Sequence, residues 1–450
     1  MYPVRAAMLG PWILAVSALL LGGFVFLRLR VDVVSSCIIG ASVLLAMRIA
    51  SYTSLGERDY DASSHIEYIL FIAEHGQLPG LRDCGVCGHP PLYYGLAALW
   101  TQFLPRAIPL EVGLRALSLG LFFAFLLTAR AIFLLFSKER RTLWFGLALL
   151  AFWPSALLHA IRIHNDALVT PLMLASLLFM IKWDRSSSMR DFSCALAFVT
   201  GAILTKASGL AVAALLLALA AFRLLPWGSQ PRGVRLSAKL APLVGGAFAI
   251  ALATLLASPV WRARGPVSTV GDALLGSAAG GRYVPPVPDS FQHFLGFRPL
   301  DFLLRAETVP TDPVLERFLK STLFGVGTLG EDFNGERARW LMVTMSAALL
   351  VIVAVAAVGL VTRPLAKLRA YRVPLTALGF LLAFLLAFRL RAPNEYHEDF
   401  RHILVALVPC CLGYAKLYEG FARTKSALRF AVLGPGLVMV GASILFFLRI

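Results

Sequence analysis

Apolar stretches about as long as a bilayer is thick recur along the whole of this 450-residue chain. A helix of roughly 20 apolar residues crosses the hydrocarbon core of a membrane and satisfies its backbone hydrogen bonds internally. The chain is 58% hydrophobic and 15% charged, with a mean hydropathy of +0.76, whereas a soluble domain is about 25% charged. The sequence therefore predicts a bundle of transmembrane helices and excludes a soluble fold.

The predicted fold is all-α and polytopic, with a single membrane-embedded domain over residues 1–450. The polar residues at 205–209 divide the part from Phe192 to Leu225 into a tight hairpin of two short spans. Basic residues flank that part on both sides, so the chain crosses there twice. The apolar stretches predict about twelve transmembrane helices, and they are Pro11–Leu27, Val33–Tyr52, Val112–Phe136, Leu143–Ala160, Leu168–Ile181, Phe192–Leu204, Ser208–Leu225, Leu240–Ser258, Trp340–Val361, Pro374–Leu390, Ile403–Tyr418 and Phe430–Leu448.

Positive charge lies mainly in alternate short connections between these stretches, such as Lys138–Arg141 and Arg363–Arg372. Lys and Arg accumulate in the cytoplasmic loops of membrane proteins, so we assign these connections to the cytoplasm. They account for the net charge of +17, and we expect no nucleic-acid partner. Most acidic residues and all eight histidines then lie on the opposite face, where we expect the functional site.

Two connections on that outer face are long, at residues 53–111 and 259–339. In the first, Ser64–Ala73 has apolar residues at helical spacing, which predicts a helix lying in the membrane interface. A second interfacial helix is expected after Pro90 and Pro91, because proline is favourable at a helix start. The second long connection is rich in Pro, Gly and Arg, and we predict an ordered but irregular lid.

The first outer loop carries several carboxylates and an imidazole close to the membrane surface, between Glu57 and Glu67. A transferase that moves a sugar onto a hydroxyl needs a carboxylate to take the acceptor's proton. Asp61 and Asp59 are the candidates for this catalytic base, with Asp61 favoured because it directly precedes the interfacial helix. The alternative interpretation is a solvated loop in which Asp61 caps the helix.

Cys84 and Cys87 stand at C-x-x-C spacing in the same loop. A closed zinc site needs four ligands, and the sequence has no second C-x-x-C pair. A short-loop disulfide is therefore the leading interpretation, and a metal half-site is the alternative.

Three further polar side chains stand at the outer ends of predicted spans. Asp166 is a candidate site residue, because an ionisable group there is costly without a partner or a cavity. Lys206 and Arg401 lie where the phosphate of a membrane lipid would sit, and both residue types bind phosphate. The alternatives are a solvated turn for Asp166, snorkelling for Lys206 and an ion pair with Glu398 or Asp399 for Arg401.

Several short motifs resemble, in chain order, those of the C-type fold integral membrane glycosyltransferases, which include protein O-mannosyltransferases and the aminoarabinose transferase of lipid A. These motifs are Tyr60-Asp61 followed by His65 and Tyr68-Ile69, then Gly76–Pro79, His89–Tyr94, His164–Leu168, Leu204–Lys206, Lys320–Gly325 and Asp399–Leu404. His89–Tyr94 is the most specific of them. Members of this family commonly carry an acidic pair or an Asp-Glu step before the histidine, whereas here Ala62 follows Asp61. That difference leaves the choice between Asp59 and Asp61 open.

The resemblance implies an inverting transfer of a sugar from a polyprenyl-phosphate donor to a glycan, lipid or protein acceptor. The membrane is expected to be a bacterial inner membrane, with the site facing the periplasm. The base is expected to be Asp61 or Asp59, and Lys206 and Arg401 are expected to bind the donor phosphate. Some members of this family need a divalent metal ion and others do not. The side chains expected to shape the pocket are His65, His89, Tyr93, His164, Asp166 and His402.

A membrane transporter or lipid flippase is the alternative from another functional class, with the outer acids and histidines acting as an ion relay. It predicts ionisable residues near the bilayer midplane and broken helices in two corresponding halves of the chain. The charged residues instead gather at span ends, and the two halves show no such correspondence. The sequence therefore favours the enzyme.

Overall fold

The computed structural model describes most of the chain, and every regular element in that part is a helix. The described residues are 25–53, 61–222, 236–257, 296–305, 312–325, 335–362, 369–391, 399–424 and 427–448, apart from residues 27 and 82. The α-helices are α1 Val33–Tyr52, α2 Ala62–His75, α3 Leu92–Gln102, α4 Leu110–Phe136, α5 Arg140–Ala151, α6 Pro154–Ala160, α7 Asp166–Ser186, α8 Met189–Thr205, α9 Gly209–Phe222, α10 Leu236–Ala257, α11 Pro299–Leu304, α12 Val314–Phe324, α13 Glu336–Val361, α14 Arg372–Arg391, α15 Leu407–Arg423 and α16 Leu428–Leu448. Two 3-10 helices, Arg369–Tyr371 and Phe400–Ala406, precede α14 and α15.

The protein is a multi-pass membrane protein. Within the described ranges, 7 helices are long and apolar enough to cross a bilayer, and the bent pair formed by α5 and α6 would make an eighth crossing. The apolar helix Gly209–Phe222 and the apolar part Val244–Leu256 of α10 are shorter than a full span. The predicted number of twelve is therefore not confirmed. The first predicted span, Pro11–Leu27, falls almost entirely outside the described residues.

The predicted span Leu143–Ala160 is divided in the structure into two helices with a sharp bend between them. Helix α5 ends at Ala151, and α6 begins at Pro154 with its axis turned by 60°. Proline has no backbone N–H and disfavours helical geometry in the residue before it, so it starts a new helix more readily than it continues one. The bend directs α6 and residues 161–166 into the bundle, where all of them are buried.

Helices α7 and α8 pack against each other as an antiparallel hairpin. Only Ser187 and Ser188 connect them, and Ser187 adopts a left-handed conformation with φ 58°. A hairpin of two helices of similar length returns the end of α8 to the start of α7. Lys206, the residue after α8, therefore lies beside Asp166, the first residue of α7. The predicted tight hairpin between α8 and α9 is confirmed, because only residues 206–208 separate the two helices.

Gly209 permits that tight turn. A methyl group built on its Cα would lie 2.5 Å from the carbonyl carbon of Ala202 and 2.6 Å from the amide nitrogen of Ile203. Backbone atoms cannot move away as the end of a flexible side chain can. The short turn that positions Lys206 therefore requires glycine at its end.

We expect Gly209→Ala to destabilise the protein by about 1–3 kcal/mol, the usual cost of inserting a methyl group into a packed interior. Thermal unfolding of the detergent-purified protein measures the effect. Gly40→Ala is the matched control in α1, because no atom lies within 4 Å of the added methyl group. If Gly209→Ala unfolds at the wild-type temperature, the close approach does not limit the turn.

The two helices predicted for the first long connection are confirmed as α2 and α3, and their position in the membrane interface stays a prediction. They pack together through Tyr68 and Tyr94, whose rings stack with centroids 3.9 Å apart. Between the two helices Cys84 and Cys87 form a disulfide, as the leading interpretation expected. The apolar residues of this connection form a small core together with Leu114, Ile163 and Leu168.

The second long connection contains two helices in its described part, α11 and α12, where an irregular segment was expected. Helix α12 is largely buried, and Ser155 on α6 donates a hydrogen bond of 2.6 Å to the carbonyl of Thr322. At the same helix the Ser321 hydroxyl accepts a 3.0 Å hydrogen bond from the backbone N–H of Phe400. Helix α12 therefore connects α6 to the 3-10 helix that precedes α15. Residues 258–295 lie outside the described residues, and the function of this connection as a lid stays a prediction.

Candidate active site

Four segments that are far apart in the sequence meet in one cluster of polar side chains. They are the start of α2, the segment between α6 and α7, the turn after α8, and the 3-10 helix before α15. The rings of His65 on α2 and His164 before α7 have centroids 6.4 Å apart. The charge of Arg401 acts on the carboxylate of Asp61. The structure thus brings Asp61, Asp166 and Arg401 together, as the shared cavity predicted from sequence requires.

Asp61 lies directly before α2 and faces His65, one helical turn later. Oδ2 of Asp61 is 3.6 Å from Nε2 of His65, and Nδ1 of the same imidazole is 2.9 Å from the Tyr94 hydroxyl. Burial raises the pKa of Tyr94, so this phenol stays a neutral donor. An ionised Asp61 favours the imidazole tautomer with its proton on Nε2, which leaves Nδ1 to accept from Tyr94. Tyr94 thereby orients His65 towards Asp61.

The Asp61 carboxylate is ionised and does not cap α2, since its side chain makes no capping hydrogen bond. Burial opposes ionisation, but the hydrogen bond from His65 and the charge of Arg401 outweigh it and lower the pKa of Asp61. Its side chain is 27% exposed. Oδ1 itself is buried and has no hydrogen-bond partner among the described residues.

His89 and Asn165 connect the first outer loop to the start of α7. The Asn165 side-chain amide donates to Nδ1 of His89 at 3.1 Å and to the carbonyl of Thr205 at 3.4 Å. Desolvation and the charge of Lys206 lower the pKa of His89. His89 is therefore neutral and accepts this hydrogen bond, which holds the outer loop against the end of α8.

Lys206 and Asp166 form a buried ion pair. Nζ of Lys206 is 2.6 Å from each carboxylate oxygen of Asp166, and the two side chains are 12% and 5% exposed. Nδ1 of His164 lies 3.9 Å from the same carboxylate. Lys206 therefore does not snorkel towards a surface. A phosphate placed at Lys206 would meet the ammonium together with its partner carboxylate.

Arg401 is buried at the start of the 3-10 helix before α15. Its Nε lies 3.6 Å from Oδ2 of Asp399, the ion pair considered as an alternative from sequence. Asp399 also accepts a 3.0 Å hydrogen bond from the backbone N–H of Arg401. Arg401, His159 and Asp166 line a cavity of about 30 Å³. The neighbouring His402 is buried and meets the ring of Phe388 edge-on at 5.4 Å between centroids.

Some residues of the cluster were not singled out from sequence. Tyr93 was predicted to shape the pocket, but Tyr94 makes the contact with His65, while Tyr93 packs edge-on against Tyr94 at 5.3 Å. Adjacent residues of a helix point in different directions, so only one of the two tyrosines faces His65. Asn165, His159 and Arg162 were also missed. A histidine and an arginine inside an otherwise apolar segment were the available signal for the last two. Asp59 lies outside the described residues, and its prediction is untested.

No metal ligand set is evident in the part of the chain that the structure describes. Within it, no group of three or more His, Cys, Asp and Glu side chains is arranged to hold a metal ion. Cys84 and Cys87 are joined to each other, which excludes them as the metal half-site considered from sequence.

We expect His164 to make the stability of the protein pH-dependent. Burial and the charges of Arg162 and Arg401 outweigh the opposing effect of Asp166 and lower the pKa of His164 from 6.5 to about 3. The unfolded chain then binds more protons at this residue, so stability is fully present above about pH 6.5 and falls as the pH drops towards 3, by at most about 1.4 kcal/mol per pH unit. His164→Gln should therefore unfold with a smaller loss between pH 7 and pH 5 than the wild type.

The matched control is His75→Gln, because His75 is exposed at the end of α2. Thermal unfolding across the pH range measures both variants. An unchanged pH slope in His164→Gln contradicts the assignment of a buried neutral imidazole at this position.

Comparison with known proteins gives structural similarity only. No protein-family model matches the sequence, and no curated protein matches it. The structure of ArnT from Cupriavidus metallidurans bound to undecaprenyl phosphate is 15% identical, with 85% of this chain and 78% of that chain covered and a TM-score of 0.38. The apo structure of the same protein is 17% identical, with 89% and 77% covered and a TM-score of 0.33. We therefore base the function on the residues of this chain.

Proposed function

We propose that this protein is a glycosyltransferase that moves a sugar from a polyprenyl-phosphate donor to an acceptor on the non-cytoplasmic face of the membrane. The observation that carries the proposal is the position of Asp61. Its ionised and partly exposed carboxylate lies directly before α2, in one cluster with the buried cations Lys206 and Arg401. A membrane lipid can bring its phosphate to such a position while its chain stays in the bilayer. An acceptor hydroxyl can reach the carboxylate from the aqueous side.

The reaction is a single displacement. The acceptor oxygen attacks the anomeric carbon of the sugar, the bond from that carbon to the phosphate oxygen breaks, and the lipid phosphate leaves with the electron pair. The proton of the acceptor hydroxyl passes to Asp61. Attack from the side opposite the leaving phosphate inverts the anomeric centre. Lys206 and Arg401 supply positive charge where negative charge develops on the phosphate.

Any carboxylate is a weak base towards an ordinary hydroxyl, and this limits when the proton can move. Once the acceptor oxygen has begun to bond to the anomeric carbon, its proton becomes strongly acidic, and a weak base is then sufficient. Asp61 therefore orients the acceptor early and takes the proton late, while His65 holds the carboxylate in place.

Two observations support a non-cytoplasmic site. The Cys84–Cys87 disulfide lies in the loop that carries Asp61, and disulfides persist in oxidising compartments outside the cytosol. The basic connections at the opposite ends of the spans follow the distribution expected for cytoplasmic loops. For a bacterial protein the site would face the periplasm.

The direct test is transfer of a label by the purified protein in lipid and detergent. A panel of polyprenyl-phosphate sugars labelled in the sugar is incubated with a mixture of envelope glycans, lipids and proteins. We expect one donor to lose its label to an acceptor, with release of polyprenyl phosphate and inversion of the anomeric configuration by NMR. If no donor in the panel is consumed above the level of heat-treated protein, the proposal is overturned.

A further inference from the structure

The disulfide between Cys84 and Cys87 lies beside the site and has no part in the mechanism so far. It closes a turn of four residues, in which the backbone N–H of Cys87 donates to the carbonyl of Cys84 at 3.3 Å. Cys87 is fully buried, whereas Cys84 is half-buried between the exposed residues Asp83 and Gly85. Of the two cysteines, Cys84 is therefore the one that a reagent from solution can reach.

The disulfide turn packs against the helix that follows Asp61. A methyl group built on the Cα of Gly85 would lie 3.0 Å from Oγ of Ser64, so the turn lies directly against the first turn of α2. Cys87 also belongs to the small core that includes Tyr68 on the same helix. The position of Asp61, the residue before α2, therefore depends on this turn.

The same turn reaches the opposite side of the site through His89. The backbone N–H of His89 donates to the carbonyl of Val86 at 2.9 Å, and its imidazole accepts the 3.1 Å hydrogen bond from Asn165. The Asn165 amide also donates to the carbonyl of Thr205, the residue before Lys206. One short turn of the chain is thus connected both to the helix of the proposed base and to the end of α8.

The C-x-x-C spacing of the pair suits reversible exchange with a dithiol. A thiolate that attacks the sulfur of Cys84 forms a mixed disulfide, and the electron pair of the broken bond goes to the sulfur of Cys87, which takes a proton. The second thiol of the reductant then displaces Cys84, which also takes a proton, and the reductant is left as a disulfide. A loop this short restrains the unfolded chain less than a long loop does. Reduction should therefore loosen the turn without unfolding the protein.

We propose that Cys84 and Cys87 form a thiol–disulfide exchange site through which a dithiol protein of the outer compartment controls sugar transfer, with the disulfide form active. In an oxidising compartment the disulfide is the resting form. Its reduction frees the turn, so that the packing on Ser64 and the position of His89 are no longer fixed. The catalytic consequence rests on the proposed function, whereas the exchange reaction is independent of it.

The exchange site is tested by hydrogen–deuterium exchange of the detergent-purified protein before and after treatment with dithiothreitol. We expect reduction to raise amide exchange about tenfold in residues 84–91 and 62–69 through local opening, and to leave α13 unchanged. Glutathione disulfide should restore the original exchange. A purified dithiol protein with its own C-x-x-C pair should act as dithiothreitol does. If it leaves the Cys84–Cys87 bond intact, the proposed partner is wrong and the proposal is overturned.

Two variants separate this disulfide from other effects of the reductant. Cys84→Ser/Cys87→Ser lacks the bond and should exchange like the reduced wild type, with or without dithiothreitol. Cys410→Ser is the matched control, because Cys410 is a free cysteine, and this variant should respond to reduction as the wild type does. A response of Cys84→Ser/Cys87→Ser to dithiothreitol would place the sensitive group elsewhere and contradict the proposal.

Label transfer gives the catalytic consequence. The reduced wild type and Cys84→Ser/Cys87→Ser should transfer label about tenfold more slowly than the oxidised wild type, at a nearly unchanged unfolding temperature, because only the turn opens. Equal transfer by the two redox forms overturns the control of activity, and a large fall in unfolding temperature on reduction overturns the local effect. If the oxidised wild type transfers no label, the transferase proposal fails, while hydrogen–deuterium exchange still decides the exchange site.

Discussion

Asp61→Asn is expected to lower kcat/KM for sugar transfer by roughly 10²- to 10⁴-fold, the usual contribution of a positioned general base. Asparagine has nearly the same shape as aspartate but cannot accept the acceptor's proton. Because the Asp61 side chain makes no capping hydrogen bond, the variant should fold normally. Label transfer from the active donor, measured beside thermal unfolding, tests both statements.

The matched control is Glu67→Gln, because Glu67 lies exposed on the same helix, α2. Its transfer rate should equal that of the wild type. Asp59→Asn is measured alongside, since the sequence leaves Asp59 as the other candidate base. A large loss in Asp59→Asn with full activity in Asp61→Asn would transfer the role to Asp59.

Asp166→Asn is expected to destabilise the folded protein by about 3–5 kcal/mol, because it leaves the Lys206 ammonium buried without its carboxylate. The pair is held at 2.6 Å with both side chains largely buried. Lys206→Met should cost a comparable amount by leaving the carboxylate unpaired. In Asp166→Asn/Lys206→Met both charges are removed, so the double variant should be more stable than the sum of the two single changes predicts.

The control for this cycle is Asp184→Asn. Asp184 pairs with Arg372, whose side chain is 49% exposed, and an exposed pair contributes only about 0–1 kcal/mol. Unfolding of all four variants in detergent gives the comparison. Additive effects of the Asp166 and Lys206 changes would show that the two charges do not stabilise each other.

The elements that sequence predicted correctly depend on local patterns. The recurrence of apolar residues at helical spacing was sufficient to predict α2, and two prolines marked the start of α3. The disulfide joins cysteines only three residues apart, so no long-range folding decides that pairing. The break before Pro154 was missed because an apolar run shows no polar gap there, although proline itself gave the signal.

The site was predicted as a set of loops rather than as a set of contacts. The charge distribution placed Asp61, Asp166 and Arg401 on one face, and the structure brings them into one cluster. Tyr93 was predicted to shape the pocket, and the sequence did not indicate that Tyr94 is the ring that stacks with His65, because the rotation of α3 against α2 is set by packing. The sequence does not distinguish Arg162 from the other arginines as a buried residue, because its burial follows from the bend between α5 and α6.

The sequence alone determined that this chain crosses a membrane many times, because each residue contributes its own free energy of transfer from water into hydrocarbon. The distribution of Lys and Arg also predicts which face carries the acids and histidines. Only the tertiary structure decided which charges pair: Lys206 takes Asp166, 40 residues away, and Arg162 takes none of the described carboxylates. Coulomb interactions and desolvation depend on distances of a few ångströms, and packing of helices distant in sequence sets those distances.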